Sequence, residues 1–192
     1  MKKVFIATTN KDKFTIVSTI FKNTIFPEDG FEIIRPTSDI ILPEIEEEGS
    51  NIQRARTKAL NAYEYLKDYN YDYIVGLDDA LFIKGRIEPN IKDHLNKILY
   101  ENYLEDGEQF AFNRAYCIID KEKNLYEVSL DIPEIYHPLK ETLVIEDHTY
   151  PLSNVSYPIG YDKPLSELTN DEIIDYTLNY VKDGLMSLNI NY

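Results

Sequence analysis

Short apolar runs separated by polar turns dominate the first third of the chain. Val4-Phe5-Ile6-Ala7 is a continuous apolar run, the signature of a fully buried strand, and the polar turn Thr8-Thr9-Asn10 follows at once. Phe14, Val17, Ile20 and Phe21 then recur at helical spacing, with Asp12 in the first turn, where negative charge meets the positive end of a helix. The pattern predicts strand, polar loop, helix. Phe31 to Arg35 reads as a second strand. The acidic segment Pro43 to Gly49 leads into Ser50, which forms a capping box with Gln53, and Ile52, Ala55, Ala59, Ala62 and Leu66 mark one face of the helix that follows. Within the segment, the alternation of Glu44-Ile45-Glu46 is also compatible with a strand whose carboxylates point outward.

Further along, Tyr73 to Leu77 reads as a central strand ending at Asp78-Asp79, where the next apolar run, Ala80 to Ile83, begins. A helix follows Pro89-Asn90 on Ile91, Leu95, Ile98 and Leu99. Phe110 to Asp120 and Leu125 to Leu130 predict a hairpin around Lys121 to Asn124. Thr169 and Glu172 form another capping box, and Ile173, Thr177, Val181, Leu185 and Leu188 give a long C-terminal stripe. No internal repeat or low-complexity linker interrupts the chain.

Composition narrows the class. With 192 residues and 43% hydrophobic content, the chain is long and apolar enough for one domain, or two closely joined lobes, without a disulfide. The formal net charge of −14 opposes nucleic-acid binding. Cys117 is the only cysteine, which excludes an intrachain disulfide and a cysteine-based zinc site and points to a reducing compartment. The apolar run behind Lys2-Lys3 is too short for a signal-peptide core, and no stretch approaches the ~18 apolar residues of a membrane span. The reading is a soluble cytoplasmic protein with no membrane partner.

Three segments carry candidate chemistry. Thr8 to Lys13 is a strand-to-helix turn whose backbone N–H groups, hydroxyls and lysines suit phosphate oxygens; a plain helix cap with solvated lysines fits the same residues. Glu44, Glu46, Glu47 and Glu48 offer oxygen ligands of the kind Mg²⁺ uses, with Lys58 on the following helix; a solvated acidic loop is the plainer account. Asp78-Asp79 is the third. Adjacent carboxylates at a strand end repel unless a cation or solvent relieves them, and one could hold Mg²⁺ while the other takes a proton from water; an exposed turn is the alternative. His94, His137 and His148 show no metal-ligand spacing and read as structural or surface residues.

In order along the chain, these segments resemble the inosine triphosphate pyrophosphatase family. Ala7-Thr8-Thr9-Asn10-Lys11-Asp12-Lys13 is similar to its Ala-Thr-x-Asn-x-x-Lys opening, and Leu42 to Gly49 with Ala55-Arg56-Thr57-Lys58-Ala59 to its acidic loop and following helix. Gly76-Leu77-Asp78-Asp79 resembles its acidic strand end, and Ile159-Gly160-Tyr161-Asp162 its base-pocket motif. The chain departs from the family at Ala80-Leu81, where Ser-Gly is usual, and at Pro89-Asn90, where Pro-Gly is usual. The Ser-His-Arg triplet would fall near Thr177-Leu178-Asn179 and the preceding lysine near Ile173; neither is retained.

The resemblance implies an elongated α/β protein in one domain spanning residues 1–192, with a mixed, curved sheet, two lobes and a nucleotide cleft between them, commonly as a homodimer. It implies Mg²⁺-dependent hydrolysis of a nucleoside triphosphate to monophosphate and pyrophosphate, with altered base preference. Asp79 and Lys13 would be catalytic. Thr8, Asn10, Lys13 and Lys58 would hold phosphates, Tyr161 and Asp162 the base, and Asp78 with Glu47 or Glu44 the metal. The alternative is a nucleotide-binding protein of the same fold with impaired catalysis, because the missing lysine and Ser-His-Arg equivalents remove substrate contacts.

Overall fold

The computed structural model describes residues 1–43, 45, 48–140 and 150–190. Among the described residues, seven strands and four α-helices form a mixed α/β fold in the order β1 (Lys2–Ile6), α1 (Lys11–Lys22), β2 (Phe31–Ile34), α2 (Asn51–Leu66), β3 (Tyr73–Ile83), β4 (Arg86–Glu88), α3 (Ile91–Tyr100), β5 (Gln109–Asp120), β6 (Leu125–Tyr136), β7 (Ser156–Pro158) and α4 (Asn170–Met186). The sheet runs β2-β1-β3-β5-β6-β7, with β4 paired to β3 off that path. β1 lies parallel to both β2 and β3, whereas β4 and β7 pair antiparallel with β3 and β6.

Local chemistry accounts for most of these elements. The side chain of Asn10 accepts the N–H of Lys13 at 3.0 Å and starts α1. Ser50 and Gln53 close the expected capping box at α2, and Thr169 and Glu172 exchange the same pair of bonds before α4. The hairpin turns at Lys121 to Asn124, where Asp120 accepts both the backbone and the side-chain N–H of Asn124 at 2.8 Å. β6 continues six residues past the expected Leu130, to Tyr136.

One expectation is corrected. β3 does not stop before Asp78-Asp79 but passes through them to Ile83. Its parallel pairing with β1 reaches Val75, and its antiparallel pairing with β4 begins at Leu81, so the aspartates lie between two ladders on one strand. The C-terminal stripe also differs: α4 buries Ile174 and Tyr176 beside Thr177, Val181 and Leu185, and Leu188 lies beyond the helix end.

The chain divides into two compact units. Unit 1 comprises residues 1–78, 114–130 and 180–192, and unit 2 comprises residues 79–113 and 131–179. Unit 1 buries Phe5, Phe21, Phe26 and Tyr116, with Phe21 and Phe26 edge to face. Unit 2 is built on Leu81, Ile83, Ile98, Phe110, Tyr136 and Leu152.

A close approach inside unit 1 sets the site. Ala55 and Ala59 of α2 face Gly76 of β3, where an added Cβ would stand 2.2 Å from the Ala55 carbonyl oxygen and 2.5 Å from the Ala59 nitrogen. The backbone can come this near only because position 76 has no side chain. Lys58, one residue before Ala59, is thereby carried alongside Leu77 and Asp78.

Candidate functional site

Thr8, Lys13 and Lys58 meet around one cavity. It measures about 460 Å³ and is completed by residues including Leu42, Pro43, Asn61 and Leu77, all in unit 1. The two lysines predicted from separate segments thus share a wall with the Thr8-Thr9 turn. Asn10 has a different part: its side-chain oxygen caps α1, while Thr8 Oγ1 accepts the Asn10 N–H at 3.3 Å. That capping is the plainer role which the sequence already allowed. Asn10 instead lines a neighbouring cavity of about 470 Å³ with Thr8, Thr9, Phe14 and Arg35.

Lys58 also reaches the acidic strand. Its ammonium donates to Asp78 Oδ1 at 2.7 Å and to the Leu77 carbonyl at 3.5 Å. Asp78 is buried, its side chain only 9% exposed. A buried carboxylate is stable as an anion only with a positive partner, and an apposed ammonium meets that need. Replacing Lys58 with Met, which keeps the apolar stem and removes the charge, should destabilise the fold by about 3 kcal/mol in denaturant titration. A loss under about 0.5 kcal/mol would show that the pair does not hold the strand.

Asp79 belongs to the other face. Successive residues of a strand point to opposite sides, so Asp79 shares a face with Leu81 and Ile83, whereas Asp78 shares one with Gly76 and looks toward α2. The repulsion expected of two neighbouring carboxylates is therefore relieved by geometry as well as by Lys58. Tyr150, in the same unit as Asp79, senses it: burial first, and then the Asp79 charge, push the phenol up to about 12, leaving a neutral hydroxyl near the carboxylate. Nothing in the local sequence around Tyr150 signals this proximity.

Tyr161 and Asp162 lie in unit 2 on an exposed turn. The Tyr161 N–H donates to the Pro158 carbonyl at 3.0 Å, and Gly160 takes φ of +89°, as the third position of a type II turn requires. Tyr176 of α4 packs edge-on against Tyr161, with ring centroids 5.9 Å apart. Its hydroxyl accepts the Ile159 N–H at 3.1 Å and donates to the Pro133 carbonyl. Tyr176 is not among the residues expected from the motifs, although a tyrosine on the buried face of a helix is a signal that a hydroxyl needs a partner.

Glu44, Glu46 and Glu47 lie outside the described residues, as does His148. Among the described residues no group of three His, Cys, Asp or Glu converges as a metal site. His94 and His137 face Glu88 and Asp106 as ordinary pairs. Cys117 is buried, and burial holds its thiol up at about 12, which makes it inert. No described helix is long and apolar enough to cross a membrane.

No family model matches this sequence, and no curated protein matches it. Solved structures do. A HAM1 protein from Coxiella burnetii superposes with a TM-score of 0.67 at 12% identity, covering 97% of this chain and 95% of its own. A nucleoside-triphosphatase described as a dITP/XTP pyrophosphatase, from Mycobacterium abscessus, gives 0.59 at 17% identity over 97% of both chains. The Ham1 protein of Staphylococcus aureus gives 0.59 at 13%, covering 97% of this chain and 94% of its own. The chain is thus similar in fold, nearly end to end, to structures carrying these names. That agrees with the fold which the ordered motifs implied.

Proposed function

We propose that this chain is a Mg²⁺-dependent nucleoside triphosphate pyrophosphohydrolase that releases nucleoside monophosphate and pyrophosphate. The observation that carries the reading is the convergence of Thr8, Lys13 and Lys58 on one cavity, with Lys58 bonded to buried Asp78. The fold shared with a dITP/XTP pyrophosphatase supports it.

The roles follow from charge and position. Lys13 and Lys58 supply local positive charge on a body of net −14, which otherwise repels a triphosphate. Thr8 orients phosphate oxygens by its hydroxyl, and Asn10 does so by its amide nitrogen, because its oxygen is engaged in the cap. Asp78 is an oxygen donor of the hard type that Mg²⁺ prefers, and the metal would be held by Asp78 with Glu47 or Glu44, waters and phosphates. When bound it would neutralise phosphate charge. Asp79 would take the proton of the attacking water, and Lys13 would be catalytic through its charge on the phosphates. Tyr161 stacks on the base and Asp162 accepts from its edge. The protein acts in the cytoplasm as a homodimer, with altered preference among purines.

A second reading, a nucleotide-binding protein with impaired catalysis, is favoured by α4, where the lysine and Ser-His-Arg of the resembled family would fall near Ile173 and Thr177-Leu178-Asn179 and are not retained. Pyrophosphate release with Mg²⁺, measured across inosine, xanthosine and the standard ribo- and deoxyribonucleoside triphosphates, separates the two. Turnover of at least one establishes the reaction class. Saturable binding without turnover establishes the second reading and overturns the first.

A further inference from the structure

We propose that the hydroxyl of Tyr176 is the pin that fixes Tyr161 against the base. This rests on the reading that Tyr161 stacks on the nucleobase. Three ties meet at one phenol: the Ile159 N–H at 3.1 Å, the Pro133 carbonyl on β6, and the ring of Tyr161 at 84° to its own. Tyr176 is 4% exposed and Tyr161 37%, so the pin is internal while the ring it supports keeps a face open. Tyr176 would be a positioning residue, acting through Tyr161.

A phenol has one proton, and that of Tyr176 goes to Pro133, while its oxygen takes the Ile159 N–H. Removing the hydroxyl therefore releases both the turn and its tie to β6 at once, and with them the support of the Tyr161 ring. What the held ring supplies is stacking, which every base supports.

The test is calorimetric binding of α,β-methylene analogues of inosine, adenosine and cytidine triphosphates to the full chain with Mg²⁺, with inorganic tripolyphosphate as the base-free control. Tyr176→Phe should weaken all three base-bearing ligands by about 10-fold and leave tripolyphosphate unchanged, with KM raised and kcat kept within about 2-fold on the corresponding cleavable substrates. If Tyr161→Ala weakens the base-bearing ligands and Tyr176→Phe does not, the pin is overturned and stacking survives. If Tyr161→Ala changes nothing, or no analogue binds, the underlying assignment of the base contact fails, and this inference with it.

Discussion

Asp79→Asn lowers pyrophosphate release by about 10²- to 10⁴-fold in kcat for every triphosphate the parent chain cleaves, the range for loss of a positioned general base. The substitution keeps the shape of the side chain and removes its capacity to take a proton. Strand alternation makes the test clean. Asp79 points away from the α2-facing side on which Lys58 meets Asp78, so its neutralisation leaves that ion pair intact. Tyr150 should also respond, because part of the upward pressure on its phenol comes from Asp79; its titration should move down in the variant, as read by ultraviolet absorbance. Nucleotide affinity should be kept, since the substitution removes proton uptake and leaves the Lys58–Asp78 pair in place. A variant that keeps more than about a third of the parent kcat would move the base to another group.

The second large effect concerns stability. Glu134 sits on β6 opposite Pro158 of β7, is 1% exposed, and its Oε2 has no hydrogen-bond partner among the described residues. Burial alone pushes its carboxyl up to about 9, against an ordinary 4.5. The folded state therefore retains a proton that the unfolded chain has already released at neutral pH. Below about pH 4.5 both states are protonated and there is no cost; stability then falls by about 1.4 kcal/mol per pH unit until the folded group ionises near pH 9. At pH 7 the cost is about 3 kcal/mol.

Glu134→Gln should thus match the parent near pH 4.5 and exceed it increasingly up to pH 9, as followed by melting temperature against pH. Glu134→Leu should add a pH-independent gain of about 1 kcal/mol, because it also removes the unpartnered polar atom. Parallel pH profiles for parent and Gln variant would show that Glu134 is not the titrating group.

Much of the architecture was legible because its causes are local. The two capping boxes, the hairpin at Lys121 to Asn124, the strand-turn-helix at Val4 to Phe21 and the alanine stripe of α2 each depend on residues within a few positions of one another. The run through Asp78-Asp79 was misread because aspartate is depleted in strands and acts as punctuation. Its continuation is permitted by pairing: β1 supports one end of β3, β4 the other, and the ammonium of Lys58 lies beside the aspartate that is buried.

By itself, then, the sequence determined the order and type of the main elements, the acidic surface, and which lysines and aspartates were available for chemistry, since periodicity, caps and charge are properties of short segments. Tertiary structure alone decided that Asp78 and Asp79 serve opposite faces, that Lys58 reaches across 20 residues to Asp78, that Tyr176 ties down a carbonyl 43 residues away, and that Glu134 is dry. Those outcomes depend on which distant backbones approach closely enough to exclude water or to complete a hydrogen bond, and a one-dimensional pattern does not carry that distance.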